Sequence, residues 1–78
     1  MFFVYAIKSL IKKYIYVGLT KDLENRLMRH NKGFEKTTKP YRPFRLIYQE
    51  DFETRIEARK KEKYLKSGIG KEFLKRLT

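Results

Sequence analysis

The sequence predicts an α+β domain in which a three-stranded antiparallel sheet is flanked by helices, in the order β-β-α-β-α-α. Two runs rich in β-branched and aromatic residues, FFVYAIKS at 2–9 and YIYVGL at 14–19, open the chain with only a short link between them. A third such run, FRLIYQED at 44–51, stands between two segments whose apolar residues recur at helical spacing. Strands and helices in this mixture, with no linker, internal repeat or low-complexity stretch, make one small sheet with helices packed on it. Residues 1–78 are therefore expected to form a single domain.

The link between the first two strands, Leu10 to Lys13, suits a hairpin, although it lacks the Asn-Gly or Gly signal that sets a tight turn. Thr20 and Asp22 are both candidate N-caps for the first helix. That helix runs from Leu23 to about Asn31, with Leu23 and Leu27 stacked on one face and Gly33 as its stop. Residues 34–43 hold both prolines and little periodicity, and read as a basic loop. After the third strand, ETRIEARKKEKYLK at 53–66 reads as a helix capped by Thr54. Ser67 and Gly68 break it, and residues 70–77 form a short last helix with Phe73, Leu74 and Leu77 apolar.

Six tyrosines and six phenylalanines, with Ile, Leu and Val, suffice for a thin core. A chain of this length buries only about 60% of the surface that its unfolded form exposes. Charged residues make up 37% of the sequence and the formal net charge is +11. Such an excess on one small domain is the footprint of a polyanion partner, with nucleic acid first and an acidic membrane surface second. There are no cysteines, which excludes disulfides and thiolate metal sites. The start, MFFVYAIKSL, is too short for a signal sequence, and no apolar run approaches the ~20 residues of a membrane span. The expected setting is intracellular and cytoplasmic, with no membrane contact.

Side chains alternate across a strand, so a hairpin would carry Tyr5 and Tyr16 to one surface on neighbouring strands. They are either two phenols of a site or ordinary aromatics of a core. On the first helix Arg26 and His30 lie one turn apart at the rim of the buried face. There they serve as a helix-face ion pair with a packed histidine, or as a phosphate fork and a proton carrier. On the second helix Ala58, Glu62 and Leu65 share one face, whereas Glu57 lies about 140° around it. A carboxylate directed toward a core edge needs a partner. That partner is either Lys or Arg, or a magnesium ion, which takes one or two carboxylates beside water and phosphate oxygens. Together these residues make a chemically sensible set for phosphodiester hydrolysis: a base (phenol or imidazole), Arg26 for developing charge, and a metal on Glu62.

The ordered set resembles the small standalone members of the GIY-YIG endonuclease superfamily over nearly the whole chain. Val4-Tyr5-Ala6 and Tyr16-Val17-Gly18 look like degenerate forms of the two triplets that name that family. The stretch GLTKDLENRLMRHNKG follows them, with its arginine and histidine four apart, and then Glu57-Ala58 leading to Glu62 and Leu65-Lys66. The resemblance implies a metal-dependent endonuclease acting on DNA, with structured or branched DNA of repair or recombination as the substrate class and RNA not excluded. It implies Tyr5 as general base with Tyr16 or His30 assisting, Arg26 on the scissile phosphate, and Glu62 holding one divalent ion, Mg²⁺ or Mn²⁺. Gly18 would allow close backbone approach, and Lys66 would add a phosphate contact. The alternative is a nucleic-acid-binding module that kept the fold and little catalysis.

The chain also departs from the family pattern. Val4 stands where the first triplet has glycine, and the isoleucines of both triplets are shifted or substituted. No asparagine follows Asn31, where larger members often have one. Without a separate DNA-binding domain, target choice would fall to an accessory protein or to the chain's own basic surface. The loop with Lys36, Lys39, Arg42 and Arg45 is the candidate for backbone contact, or else simply solvated. Contacts of that kind are salt-sensitive and carry little sequence information.

Overall fold

The computed structural model describes residues 1–78. Its elements are β1 (Phe2–Ser9), β2 (Ile15–Thr20), α1 (Leu23–Lys32), β3 (Phe44–Phe52), α2 (Arg55–Lys66) and α3 (Gly68–Arg76). The three strands form one antiparallel sheet in the order β2-β1-β3. β1 is the central strand, and Val4 to Ile7 within it are fully buried.

Strand alternation divides the core in two. Val4, Ala6 and Val17 pack against Ala58, Leu65 and Leu74 from α2 and α3. Tyr5, Ile7 and Phe44 face the other way, toward Tyr14, Tyr16 and Tyr41 and toward Leu23 and Leu27 of α1. β1 thus has helices over both faces, so the apolar run at its middle is continuous rather than alternating.

Short-range polar side chains set the element ends. The Ser9 hydroxyl accepts from the backbone N–H groups of Ile11 (3.2 Å) and Lys12 (3.1 Å) and donates to the Tyr41 carbonyl. A serine thus closes the hairpin link that has no glycine. Asp22, rather than Thr20, caps α1 by accepting from Asn25 N–H at 3.1 Å. Gly33 ends that helix in the left-handed region, at φ 80°. Thr54 caps α2 by accepting from the Glu57 backbone N–H, and its hydroxyl also donates to the Glu57 carboxylate. Glu57 is therefore structural. The 34–43 segment is more ordered than a solvated loop, for a 3-10 turn forms over Lys39–Tyr41 and Tyr41 stacks on Tyr14 with ring centres 3.9 Å apart.

Ser67 is both the C-cap of α2 and the N-cap of α3. It lets α3 start at Gly68, two residues before the expected point. The tight corner depends on Gly70. A Cβ there would stand 2.0 Å from the Tyr64 carbonyl oxygen and 2.5 Å from Leu65 Cα, which are backbone atoms that cannot swing aside. Gly68 has nothing within 4 Å. Gly70→Ala should therefore lower the unfolding free energy by ~2 kcal/mol or more through overpacking. Gly68→Ala should be neutral or stabilise by up to ~1 kcal/mol. Urea unfolding of the two variants checks both; equal midpoints would rule out the close approach at Gly70.

Candidate active site

Tyr5 pairs across the sheet with Gly18, and Ile7 pairs with Tyr16. The two tyrosines are thus diagonal neighbours on the α1 face, with ring centres 6.3 Å apart. The Tyr5 ring lies down over Gly18. A Cβ at Gly18 would meet the Tyr5 hydroxyl at 2.5 Å and its Cζ at 2.6 Å. The close approach foreseen at Gly18 is that of the chain's own phenol.

α1 crosses this face and delivers His30 to the same spot. His30 is 1% exposed. It is inside the core rather than at the rim, because Thr38 from the following segment closes over it. The His30 Nε2 and Tyr5 hydroxyl are 2.8 Å apart. On the other side of the ring Nδ1 is 2.8 Å from Thr38 Oγ1. The Thr38 hydroxyl also has the Glu35 carbonyl 3.4 Å away, and when it donates there it accepts from a protonated Nδ1. Nε2 is then left as the acceptor, and the Tyr5 O–H donates to it. The chain of bonds runs in one direction, from the Tyr5 phenol through His30 and Thr38 to the Glu35 carbonyl.

The electrostatics agree with that direction. Burial pushes the Tyr5 phenol up to about 12, against partial opposition from the nearby Arg26 charge. Burial, with help from Arg26, lowers the His30 pKa below its usual 6.5. At neutral pH the phenol keeps its proton and the imidazole is neutral. Burial alone would lower the Arg26 pKa, but Tyr5, Glu35 and Tyr16 more than offset it. Arg26 Nε is buried and has no hydrogen-bond partner. The rest of the guanidinium bears on the Tyr5 phenol, by charge and by a side-chain hydrogen bond, so a fixed positive charge stands beside the two phenols where an anion would be favoured.

Tyr5, Tyr16, Arg26 and His30 come together; the Tyr16 and His30 ring centres are 5.0 Å apart. Glu62 does not join them through any hydrogen bond or ion pair. It stands on α2, which packs on the opposite face, and its side chain is 12% exposed. Its oxygens pair with Lys66 Nζ at 3.2 Å and Arg59 NH1 at 3.8 Å. The carboxylate acting on Tyr5, Arg26 and His30 is instead Glu35. Glu35 is held by Arg29 at 2.7 Å, which lowers its pKa. Sequence reasoning missed Glu35 and Thr38, because the 34–43 segment carries no periodicity to mark an inward side chain.

The basic set also divides. Lys36 and Lys39 are exposed. Arg42 donates to the Lys32 carbonyl at 2.9 Å and so caps the end of α1. Arg45 belongs to β3, pairs with Lys8, and points to the α2–α3 side. Lys66 is engaged with Glu62.

A family model described as the GIY-YIG catalytic domain matches residues 1–75, which takes in every candidate site residue. The chain belongs to the GIY-YIG family. It is similar to a UPF0213 protein of Staphylococcus saprophyticus, 46% identical over 54 residues, which cover 68% of this chain and 66% of that one. It is likewise similar to a UPF0213 protein of Staphylococcus aureus, 42% identical over 66 residues, covering 83% of this chain and 79% of that one. Among solved structures, the solution NMR structure of the UPF0213 protein BH0048 from Bacillus halodurans is 32% identical, with a TM-score of 0.58. The match covers 100% of this chain and 86% of the other. The three antiparallel strands and three helices are those of the GIY-YIG fold, which is a nuclease-type fold, and nucleases of this family generally use divalent metal ions. No helix of this GIY-YIG protein is long and apolar enough to cross a membrane.

The buried pair gives stability a dependence on pH at both ends. Unfolded His30 takes a proton below about 6.5 while the native ring resists it, so this contribution is present above that pH and is lost as pH falls through the lower native value. Unfolded Tyr5 loses its proton near 10.0 while the native phenol keeps its own to about 12. Stability therefore falls as pH rises from 10 through 12, by ~2–3 kcal/mol from this group. Denaturant unfolding at stepped pH checks this; Tyr5→Phe should flatten the alkaline limb, and an unchanged limb would sink the assignment.

Proposed function

We propose that this GIY-YIG protein is a metal-dependent endonuclease that hydrolyses phosphodiester bonds in DNA. The observation that carries the reading is the meeting of Tyr5, Tyr16, Arg26 and His30 on one face of the sheet. A scissile phosphate would accept from the part of this half-buried guanidinium that solvent reaches. Guanidinium forks are well matched to phosphate oxygens, and their effect grows as charge builds on the phosphorus.

Glu62 fits a hard divalent cation in kind. It is a single, largely covered carboxylate, and Mg²⁺ commonly takes one or two carboxylates and fills its remaining positions with water and phosphate oxygens. No group of three or more His, Asp or Glu side chains gathers to hold a metal, so the donor set would need the substrate to complete it. Lys66 and Arg59, whose side chains are 55% and 54% exposed, would have to release the oxygens that they pair with. An ion held there would supply Lewis-acid chemistry to a phosphate that reaches Glu62.

The chain's own residues would move the proton. Tyr5 is closed to solvent, so the attacking water would enter with the phosphate as the site opens; its proton then passes to the phenol oxygen as the phenol passes its own to His30 Nε2. Thr38 holds the imidazole in the tautomer that can receive it. Buried Tyr5 is a poor base alone, and this relay removes the need for a free phenolate. Tyr16, half-buried at the edge of the group, is placed to donate to a phosphate oxygen.

The second reading, a binding module with little catalysis, draws on the Glu62 carboxylate being paired with Lys66 and Arg59 rather than with the tyrosine group. Nicking of supercoiled plasmid with Mg²⁺ or Mn²⁺ separates the two. Wild type should nick, Arg26→Ala should lose ~10²–10³ in rate, and Tyr5→Phe ~10² or more. Glu62→Gln should abolish the metal response. Folded protein that cuts no DNA or RNA substrate under either metal would favour the binding module.

A further inference from the structure

The largest cleft in the molecule is not at the tyrosine–histidine group. It holds about 670 Å³ and lies between the end of the β1–β2 hairpin and α3. Lys8, Lys13, Lys71 and Lys75 line it, with Ile15 and Leu74 among its apolar walls. Alternation puts Lys8 on the α2–α3 side with Val4 and Ala6. The cleft therefore opens mainly on the side of the sheet away from Tyr5, with Tyr14 of the other face at its edge.

No Asp or Glu lines this cleft, and the carboxylate at Thr78 is the one negative group among its lining residues against four lysines. Lys8, Lys13 and Lys71 take part in no ion pair, and Lys75 has only an exposed contact with Glu72 at 3.8 Å. Arg45, the register partner of Lys8, adds a further positive charge on the same side. Four ammonium groups from a strand, a hairpin link and a helix converge on one concavity. Like charges so placed repel one another, and a cleft lined mostly by one sign concentrates the field and its counter-ions. The ligand that relieves this is a polyanion whose charges are spaced along its length. Lysines act on it as point charges, and the apolar wall offers contact to sugar or base. A bilayer surface is too flat to enter a cleft, and a single phosphate would meet only part of the set.

We propose that this cleft seats a nucleic-acid backbone, separately from the phosphate position beside Arg26. The protein then holds nucleic acid on both sides of its sheet. The cleft engages the strand through phosphates and so without regard to sequence. This seat stands whether or not the chain cuts what it holds.

The test is binding of short fluorescent DNA and RNA strands in EDTA, which removes divalent catalysis from the measurement. The triple variant Lys13→Gln, Lys71→Gln, Lys75→Gln is compared with Arg55→Gln, Lys60→Gln, Lys63→Gln, which makes the same charge change on α2. All six side chains are exposed, so both proteins should fold. The cleft triple should bind about tenfold or more weakly near 0.1 M salt, and its log K against log salt slope should fall by about 2. The α2 triple should change the slope by less than half as much. In the wild-type protein, amide shifts on titration should include Lys8, Lys13, Lys71 and Lys75, and this mapping stands even if a variant misfolds. Binding of either strand supports the seat, and their ratio says which strand it prefers. Equal losses in the two triples, or shifts confined to α1 and its surroundings, would overturn it. So would pyrophosphate matching the oligonucleotides in affinity, which would point to a free phosphate ligand, or capture by anionic vesicles that oligonucleotides do not compete away.

Discussion

The hydrogen bond between the Tyr5 phenol and His30 Nε2 joins the central strand to α1 at a point that solvent does not reach. A buried hydroxyl and a buried imidazole each cost free energy unless paired, and here each pairs the other. The neighbouring residues follow from that bond. Gly18 must be glycine-sized because the phenol lies over it, and Thr38 must present an acceptor because the far ring nitrogen needs one. The Glu35 carbonyl must face inward for Thr38 to donate to it. A single polar pair thus dictates the local geometry of β2, α1 and the segment after α1.

The sheet separates two kinds of chemistry. Its α1 face is aromatic and hydrogen-bonded, with proton-bearing groups held in fixed orientations. Its α2–α3 face is aliphatic at the centre, with Val4, Ala6, Val17, Ala58, Leu65 and Leu74, and charged around the edge. Residues one apart on β1 serve different faces. Tyr5 belongs to the phenol–imidazole group, Ala6 to the aliphatic core, and Lys8 to a basic cleft. Each residue of the central strand is committed to one side, so substitutions along it should affect the two faces independently.

The sequence foretold the parts that obey local rules. Strand composition, helix periodicity and the caps at Asp22, Gly33 and Thr54 were all legible, because each depends on neighbours within one turn or one pleat. The meeting of Tyr5 with Tyr16 was legible because a short link fixes hairpin register. The placement of Glu62 with Ala58 and Leu65 followed from the helical wheel. What was not legible came from contacts distant in sequence. Thr38 lies eight residues beyond His30 in a stretch without periodicity, and nothing in that stretch marks it as buried. Arg45 read as part of a basic loop, yet its face is set by pairing with Lys8, 37 positions earlier in the chain (45 − 8 = 37). The helical wheel placed His30 at a rim that only a bare helix has, and the segment folding over that helix turns the rim into interior.

Arg26 shows what the site asks of so small a protein. Its buried Nε goes without a partner, and an unsatisfied buried donor costs ~1–3 kcal/mol, more when it is charged. Net stability in a small domain is itself only ~5–15 kcal/mol. A core with a few buried aliphatic side chains has little to spare, so a defect of this size is not incidental. The same chain is careful elsewhere: Ser9 closes a turn, Ser67 caps two helices, and Arg42 satisfies a helix-end carbonyl. The exception falls at the one arginine that adjoins both phenols and the imidazole. An anion that binds this guanidinium in the folded chain alone also stabilises the fold by linkage. The free-energy defect and the candidate site coincide at one residue because a guanidinium placed for a ligand cannot also be fully satisfied by the protein.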